Sequence, residues 1–190
     1  MNIVAFHGSP REGGNTEILL NETLRAVNPV EHNVCLFTLN KMDIKPCQNC
    51  GGCDGSGVCI IHDGMEDIYD AIRKADRVVV ASPIFFFGLS AQTKIMIDRC
   101  QAFWCEKYLL KKPIPPGACG RKGLLLLIGG MKNQTGVTCG EATAKAFFRS
   151  VNVQEHETLS FLGVDRKGAI IDHPTALQQG FEAGKRLVRA

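Results

Sequence analysis

Arg77-Val78-Val79-Val80-Ala81-Ser82-Pro83-Ile84-Phe85-Phe86-Phe87-Gly88 is the stretch that decides the fold. Residues 77–81 are apolar almost without a break, with none of the alternation of a half-solvated strand. Such a strand belongs in a parallel sheet covered on both faces. On its N-terminal side, Asp63-Gly64-Met65-Glu66 has capping-box spacing and opens a helix through Ile68, Ile72 and Ala75. On its C-terminal side a longer helix runs from about residue 90 to residue 110 and stops before Pro113. The same rhythm extends in both directions. Residues 2–6 form a short apolar strand, and Asn15 reads as the N-cap of a helix carrying Ile18, Leu19, Leu20, Leu24 and Val27. Residues 34–39 make a second strand whose alternation suits a sheet edge. Residues 123–128 make a fourth, buried strand, and a helix over about 141–151 and a weaker strand over 158–162 follow. The last helix starts near Pro174, with Leu177, Phe181, Gly184 and Val188 on one face. The expectation is a doubly wound, five-stranded parallel α/β sheet of order 2-1-3-4-5. Residues 1–190 then form a single domain, with a cysteine-rich loop over 45–62 after the second strand.

Composition agrees. A chain of 190 residues, 45% hydrophobic and 22% charged, can bury one sizeable core. A net charge of +3 without basic runs interleaved with aromatics argues against nucleic acid as a partner. The longest apolar run, residues 124–128, is far short of a membrane span. The turn at Gly8 comes too soon for the apolar region of a signal peptide. Nine cysteines without a secretory signal point to a reducing, cytoplasmic compartment where thiols bind metal or do redox work.

In an open α/β sheet, ligands bind beyond the carboxyl ends of the strands, where strand order reverses. Three loops meet there. The first, His7-Gly8-Ser9-Pro10-Arg11-Glu12-Gly13-Gly14-Asn15-Thr16, is suited to a phosphate. Ser9, Asn15 and Thr16 offer short donors, Arg11 a cationic fork, and the following helix its free N–H groups. Neither a P-loop nor a G-x-G-x-x-G is present, so neither a nucleoside triphosphate nor a Rossmann-type dinucleotide is signalled. The second loop, Pro83, Ile84, Phe85, Phe86, Phe87 and Gly88, presents backbone polar groups beside three aromatics. That combination suits a flat, partly apolar ring with a polar edge, such as an isoalloxazine, although at least one of the three phenylalanines is expected in the core or a subunit interface. The third loop, from Gly129 and Gly130 to residue 136, lets a ring approach closely.

Cys47, Cys50, Cys53 and Cys59 fall in thirteen residues, spaced C-x2-C-x2-C-x5-C among glycines. Tight C-x2-C-x2-C runs present thiolates to iron–sulfur clusters, and a [4Fe-4S] cluster is the leading reading. Zinc, with His62 as a further ligand, is the alternative, and an idle loop the third. Zinc more often takes two separated pairs of ligands. Among the dispersed cysteines, Cys35 lies on a strand and Cys100 and Cys105 on a helix, where burial as small hydrophobes is expected; Cys119 and Cys139 carry no signal. His7 is expected to be structural. No carboxylate pair or Ser/His/Asp set supports a hydrolase.

Four segments resemble a known family: Gly8-Ser9-Pro10-Arg11 with Gly14-Asn15-Thr16, the four clustered cysteines, Ala81-Ser82-Pro83-Ile84-Phe85, and Lys94 with Asp98-Arg99. In order and spacing the chain is similar to the NAD(P)H-dependent FMN reductase group of flavodoxin-like proteins, and within it to the iron–sulfur flavoproteins. The resemblance implies FMN, with Ser9, Arg11, Asn15 and Thr16 on its phosphate and residues 83–88 along the ring. It also implies a metal-binding cluster on the four cysteines and a homo-oligomer, dimer or tetramer, whose subunits complete one another's redox sites. The expected function is electron transfer: an FMN-dependent oxidoreductase coupling a one-electron partner such as ferredoxin to a two-electron small-molecule acceptor. No side chain is assigned as catalytic. The alternatives are an NAD(P)H-dependent FMN or quinone reductase without a cluster, and a non-enzymatic electron carrier or zinc-stabilised module.

Overall fold

A computed structural model describes residues 1–117 and 120–189. Strands β1 (Asn2–His7), β2 (Asn33–Thr38), β3 (Arg77–Phe85), β4 (Gly88–Leu89), β5 (Lys122–Gly129) and β6 (Glu155–Leu162) alternate with helices. These are α1 (Asn15–Arg25), α2 (Met65–Lys74), α3 (Ala91–Arg99), α4 (Gln101–Trp104), α5 (Thr135–Ser150) and α6 (Ala176–Val188). The five long strands are parallel, in the order β2-β1-β3-β5-β6, and β4 folds back antiparallel on the end of β3. Counting the long strands alone, this is the expected 2-1-3-4-5 order of a flavodoxin-like fold.

The period-two geometry of the strands sorts their side chains into two cores. Val4, Phe6, Val78, Val80, Leu125 and Leu127 point to one face and pack with α2, α3 and α5 through Ile68, Ile72, Met96 and Phe147. Ile3, Ala5, Val79, Ala81, Leu124 and Leu126 point to the other and meet α1 and α6 through Leu19, Leu20, Ala183 and Leu187. Gly180 and Gly184 let α6 lie close on α1, since a Cβ on Gly184 would sit 2.1 Å from the Thr23 carbonyl oxygen. At the far end of the sheet two buried arginines gather helix-terminal carbonyls, Arg77 from Leu187 and Arg121 from Val151 and Arg73.

Several expectations are corrected. The helix expected over 90–110 breaks at Cys100 and widens into a π-helical turn at Cys105–Leu109. Asn15 is not the N-cap of α1; Gly14 is, and the Asn15 side chain is buried. The Asp63–Glu66 capping box does not form. Asp63 still accepts from the Met65 N–H (3.0 Å), but Glu66 reaches His62 at 2.7 Å. Cys35 is exposed, because β2 is an edge strand and a groove lined by Cys35, Phe37, Asp67 and Ala71 separates it from α2. Cys100 and Cys105 are buried as expected, and Cys119 lies outside the described residues. Among the described residues no helix is long and apolar enough to cross a membrane.

Candidate functional site

β1, β3, β5 and β6 all end at the same edge of the sheet, and the loops beyond them enclose a cavity of about 380 Å³. That volume falls in the range of small-molecule sites, roughly 300–1,000 Å³. Ser9, Arg11, Asn15, Thr16, Pro83, Ile84, Phe85, Phe86, Phe87, Gly129 and Gly130 line it, so the structure brings nearly all the expected cofactor residues together. Gly14 and Gly88 stand outside the lining. Gly14 closes the turn, where a Cβ would meet the Arg11 carbonyl oxygen at 2.9 Å, and Gly88 pairs with Phe85.

The polar end is built on the turn between β1 and α1. The Arg11 N–H donates to Ser9 Oγ (3.1 Å), and the guanidinium donates through Nη1 to the Asp165 carbonyl (3.0 Å). Asn15 is committed elsewhere: its amide donates to the Val164 and Arg166 carbonyls, and its Oδ1 accepts from the Ile170 N–H. It fastens the loop after β6 to the phosphate-type turn, and only its backbone N–H remains for a ligand. Gly8 has no room for a side chain, since a Cβ would fall 1.8 Å from Thr93 Oγ1. Ser90 joins this turn to the apolar end. Its hydroxyl donates to the Gly8 carbonyl (2.6 Å) and accepts from the Thr93 N–H, while its own N–H donates to Ser82 Oγ. Ser82, Ser90 and Thr93 are completely buried, so the network fixes one loop against the other.

At the apolar end, Phe86 (φ 48°) and Phe87 (φ 62°) form the two-residue turn between β3 and β4. Both sit in the left-handed region, which bulky residues rarely occupy. Such strain gathers at ligand-binding positions. Phe85, Phe86 and Phe87 are all exposed, at 49, 106 and 40%. None belongs to the core of this chain, which leaves a subunit interface as the other expected place for one of them. Gly129 and Gly130 form the facing wall, where a Cβ on Gly130 would press on Asp165 Oδ1 at 2.9 Å. Met131 and Asn133 join the lining from within the third loop, and sequence reasoning missed Ile128, Leu162, Val164 and Asp165. The fifth long strand ending at the same edge was the signal that could have found the last three.

His7, just before this turn, is 3% exposed, and its Nε2 has no protein partner. Burial pushes its imidazole below the ordinary range.

The cysteine loop does not reach this cavity. It is clipped at its base by Arg99, which donates to the Lys45 and Ile61 carbonyls (2.8 and 3.0 Å) and to Asp63 Oδ2 (2.6 Å). Burial opposes ionisation of Asp63, yet the hydrogen bonds from Arg99, Lys45 and Met65 outweigh it and hold the carboxyl below its usual range. All four expected ligands are free thiols, and Cys47, Cys53 and Cys59 are half-buried. Cys59 lies beside Tyr69, whose phenol burial pushes up. The residues fit a cluster in kind: four unpaired thiols on a loop whose Gly51 and Gly57 take φ of 72° and 71°. No single-ion site that includes His62 is formed among the described residues. Among the described residues the one group of three donors within 4.8 Å is Cys53, Asp54 and Cys105. The Cys105 thiol is pushed up to about 12 by burial, assisted by its contacts with Cys53 and Asp54. Sequence reasoning had given Cys105 no part in this site.

Similar proteins fit this arrangement. An iron–sulfur flavoprotein of Methanosarcina thermophila is 29% identical over 133 residues, 70% of this chain and 65% of that protein. One from Archaeoglobus fulgidus is 33% identical over 128 residues, 67% and 62% of the two chains. One from Methanocaldococcus jannaschii is 34% identical over 99 residues, 52% and 51%. The chain thus spans between half and two thirds of the length of these curated relatives. In fold, it is similar to an NAD(P)H:quinone oxidoreductase from Methanothermobacter marburgensis, with a TM-score of 0.70 and 14% identity over 100% of this chain and 97% of that one. An FMN-dependent NADH-azoreductase from Bacillus anthracis, solved with FMN, gives a TM-score of 0.62 at 11% identity, covering both chains fully. The model of the NADPH-dependent FMN reductase family matches residues 1–153. With four fifths of its length accounted for in this way, the chain belongs to that family.

Proposed function

We propose that this chain is an FMN-dependent electron-transfer oxidoreductase that couples a [4Fe-4S] cluster on Cys47, Cys50, Cys53 and Cys59 to FMN in the cavity. Its partners are then a one-electron donor such as ferredoxin and a two-electron small-molecule acceptor. The observation that carries this reading is a single cavity with two unlike ends, a helix N-terminus with Ser9, Arg11 and Thr16 at one and Ile84, Phe85 and Phe87 at the other. That polarity matches a phosphate joined to a flat ring. When bound, FMN exchanges electrons in pairs or singly and a cluster singly, so the two groups convert one kind of redox partner to the other.

The chain's own residues have four tasks. Arg11 and the first N–H groups of α1 hold the phosphate by charge-assisted hydrogen bonds. The buried Ser82–Ser90–Thr93 network fixes the spacing between the two ends. Backbone N–H groups of residues 84–88 offer donors to the edge of the ring, where negative charge gathers on reduction. Phe85 and Phe87 exclude water from its face. None of the four clustered thiols lines the cavity, and Phe86 and Met131 are bare at its mouth. Both observations support a homo-oligomer in which a second subunit's loop completes the site.

The absorption spectrum of protein purified without oxygen tests the proposal, together with iron and acid-labile sulfide per chain. Two flavin bands over a broad shoulder, with iron and sulfide present, are expected. Cys50→Ser should remove the shoulder and leave FMN bound; loss of both would make the loop a structural element of the flavin site. A second reading, a reductase that uses NAD(P)H directly and holds no cluster, draws on the contact between Cys53 and Cys105, which engages one of the four thiols without metal. Flavin bands without iron would select it.

A further inference from the structure

Cys105 is fully buried in the π-helical turn, yet its Sγ lies 3.6 Å from that of Cys53 in the cysteine loop. The contact is one of several that seat the loop on this turn. The Cys105 thiol donates to Asp54 Oδ1 (3.3 Å), and Gly57 packs so closely on Glu106 that a Cβ would meet its side chain at 3.0 Å. Arg73 holds Glu106 from the other side at 2.8 Å. The helix widens at this point, with the Leu110 N–H donating back to the Cys105 carbonyl, and such insertions often mark functional positions. The two sulfurs are in van der Waals contact.

From this geometry we propose that Cys53 and Cys105 are a redox-active dithiol that closes to a disulfide when Cys53 carries no metal, so that the loop is locked against cluster assembly. The oxidant class is a peroxide. Hydrogen peroxide oxidises Cys53, the more accessible thiol, forming an S–O bond as its O–O bond breaks and one water leaves. The Cys105 sulfur then attacks Cys53 and gives up its proton. The S–S bond forms, and the hydroxyl on Cys53 leaves with that proton as a second water. Two thiols lose two electrons and two protons to one peroxide, and a dithiol reductant reverses the change. The sulfurs need to close to about 2.05 Å, a shift that an irregular loop can absorb. Cys53 cannot be disulfide-bonded and ligate iron together, so the lock and the cluster exclude each other. The pairing itself stands without the cluster; its effect on iron rests on the function proposed above.

Metal-free protein is treated with a small excess of hydrogen peroxide, alkylated and mapped by peptide mass spectrometry. A Cys53–Cys105 cross-link is expected, removed by dithiothreitol and missing in both Cys105→Ser and Cys105→Ala. A map dominated by pairs among Cys47, Cys50 and Cys59, or with Cys53 and Cys105 both alkylated, overturns the proposal. Reconstitution with ferrous iron and sulfide then follows. Oxidised wild type should take up less than a tenth of the iron of the reduced protein, while peroxide-treated Cys105→Ser should match its own untreated sample. Equal uptake by oxidised and reduced wild type refutes the lock. Absence of iron from the reduced protein, with the cross-link intact, refutes the cluster and leaves the dithiol standing.

Discussion

Arg99→Ala should disable the cysteine loop at its base. The Arg99 side chain is fully buried and Asp63 is 2% exposed, with 2.6 Å between them. Removing the guanidinium deletes three hydrogen bonds and leaves the Asp63 carboxylate buried with only the Lys45 and Met65 N–H groups. Breaking a buried pair from one side costs about 3–5 kcal/mol. Against a total stability of about 5–15 kcal/mol, that is a fifth or more of the folding free energy. Urea unfolding of cofactor-free protein at pH 7 measures it, as a lower midpoint at an unchanged slope. The pH dependence supplies an independent check. Because the folded-state pKa of Asp63 is depressed, its contribution is complete above the unfolded value of about 3.9 and is lost as pH falls through the lower folded value. Arg99→Ala should weaken that acid-side loss, and Arg99→Met with Asp63→Asn should recover part of the stability, since no unpaired charge remains. A loss under about 1 kcal/mol, the scale of an exposed ion pair, would refute the clip.

Arg11→Ala should weaken FMN by about 10- to 100-fold, the worth of a hydrogen bond to a charged group, and riboflavin hardly at all; titrations of both flavins by fluorescence separate the phosphate contact from general damage. Phe87→Gly should leave cofactor-free protein as stable as wild type, or up to about 1 kcal/mol more so, because glycine takes φ 62° without strain. The same variant should lose flavin affinity, and a large fall in melting temperature without flavin would count against strain at this turn. Gly8→Ala drives a Cβ into Thr93 Oγ1 and should cost about 1–3 kcal/mol together with flavin binding. Gly8→Ala with Thr93→Ala should regain part of the stability in the same unfolding assay.

The strands were legible because both faces of the sheet are buried. The apolar runs at 77–81 and 123–128 suit a strand covered on both faces, and they marked the two interior strands β3 and β5. The phosphate-type turn was legible because a helix N-terminus with short donors is a local feature. What failed was what depends on distant partners. Asn15 suits an N-cap by residue type, but the loop after β6, some 150 positions away, claims its amide. Asp63 suits a capping box and still accepts from the Met65 N–H, but Arg99 claims its other carboxylate oxygen and Glu66 turns to His62. Three consecutive phenylalanines leave core and interface equally open, and only the tight turn between β3 and β4 shows that all of them face outward. Cys105 sits in a helical pattern that predicts burial correctly. Nothing in that pattern reveals the extra backbone turn that brings its sulfur to Cys53.

The helical run that follows β4 ties these parts into one device. At its start, Ser90 hydrogen-bonds the Gly8 carbonyl and so holds the phosphate-type turn. One helix later, Arg99 holds both ends of the cysteine loop. Five residues beyond the break at Cys100, Cys105 touches the loop at Cys53. This run, helical to Arg99 and interrupted at Cys100, therefore carries the anchors of the cavity and of the thiols on one continuous segment. The electron transfer proposed above depends on that placement staying constant. The buried anchors at each end, the Ser90 hydroxyl and the Arg99 guanidinium, are the kind of interaction that keeps it so: each is costly to leave unpaired, so neither end can drift without exposing a polar group to the core.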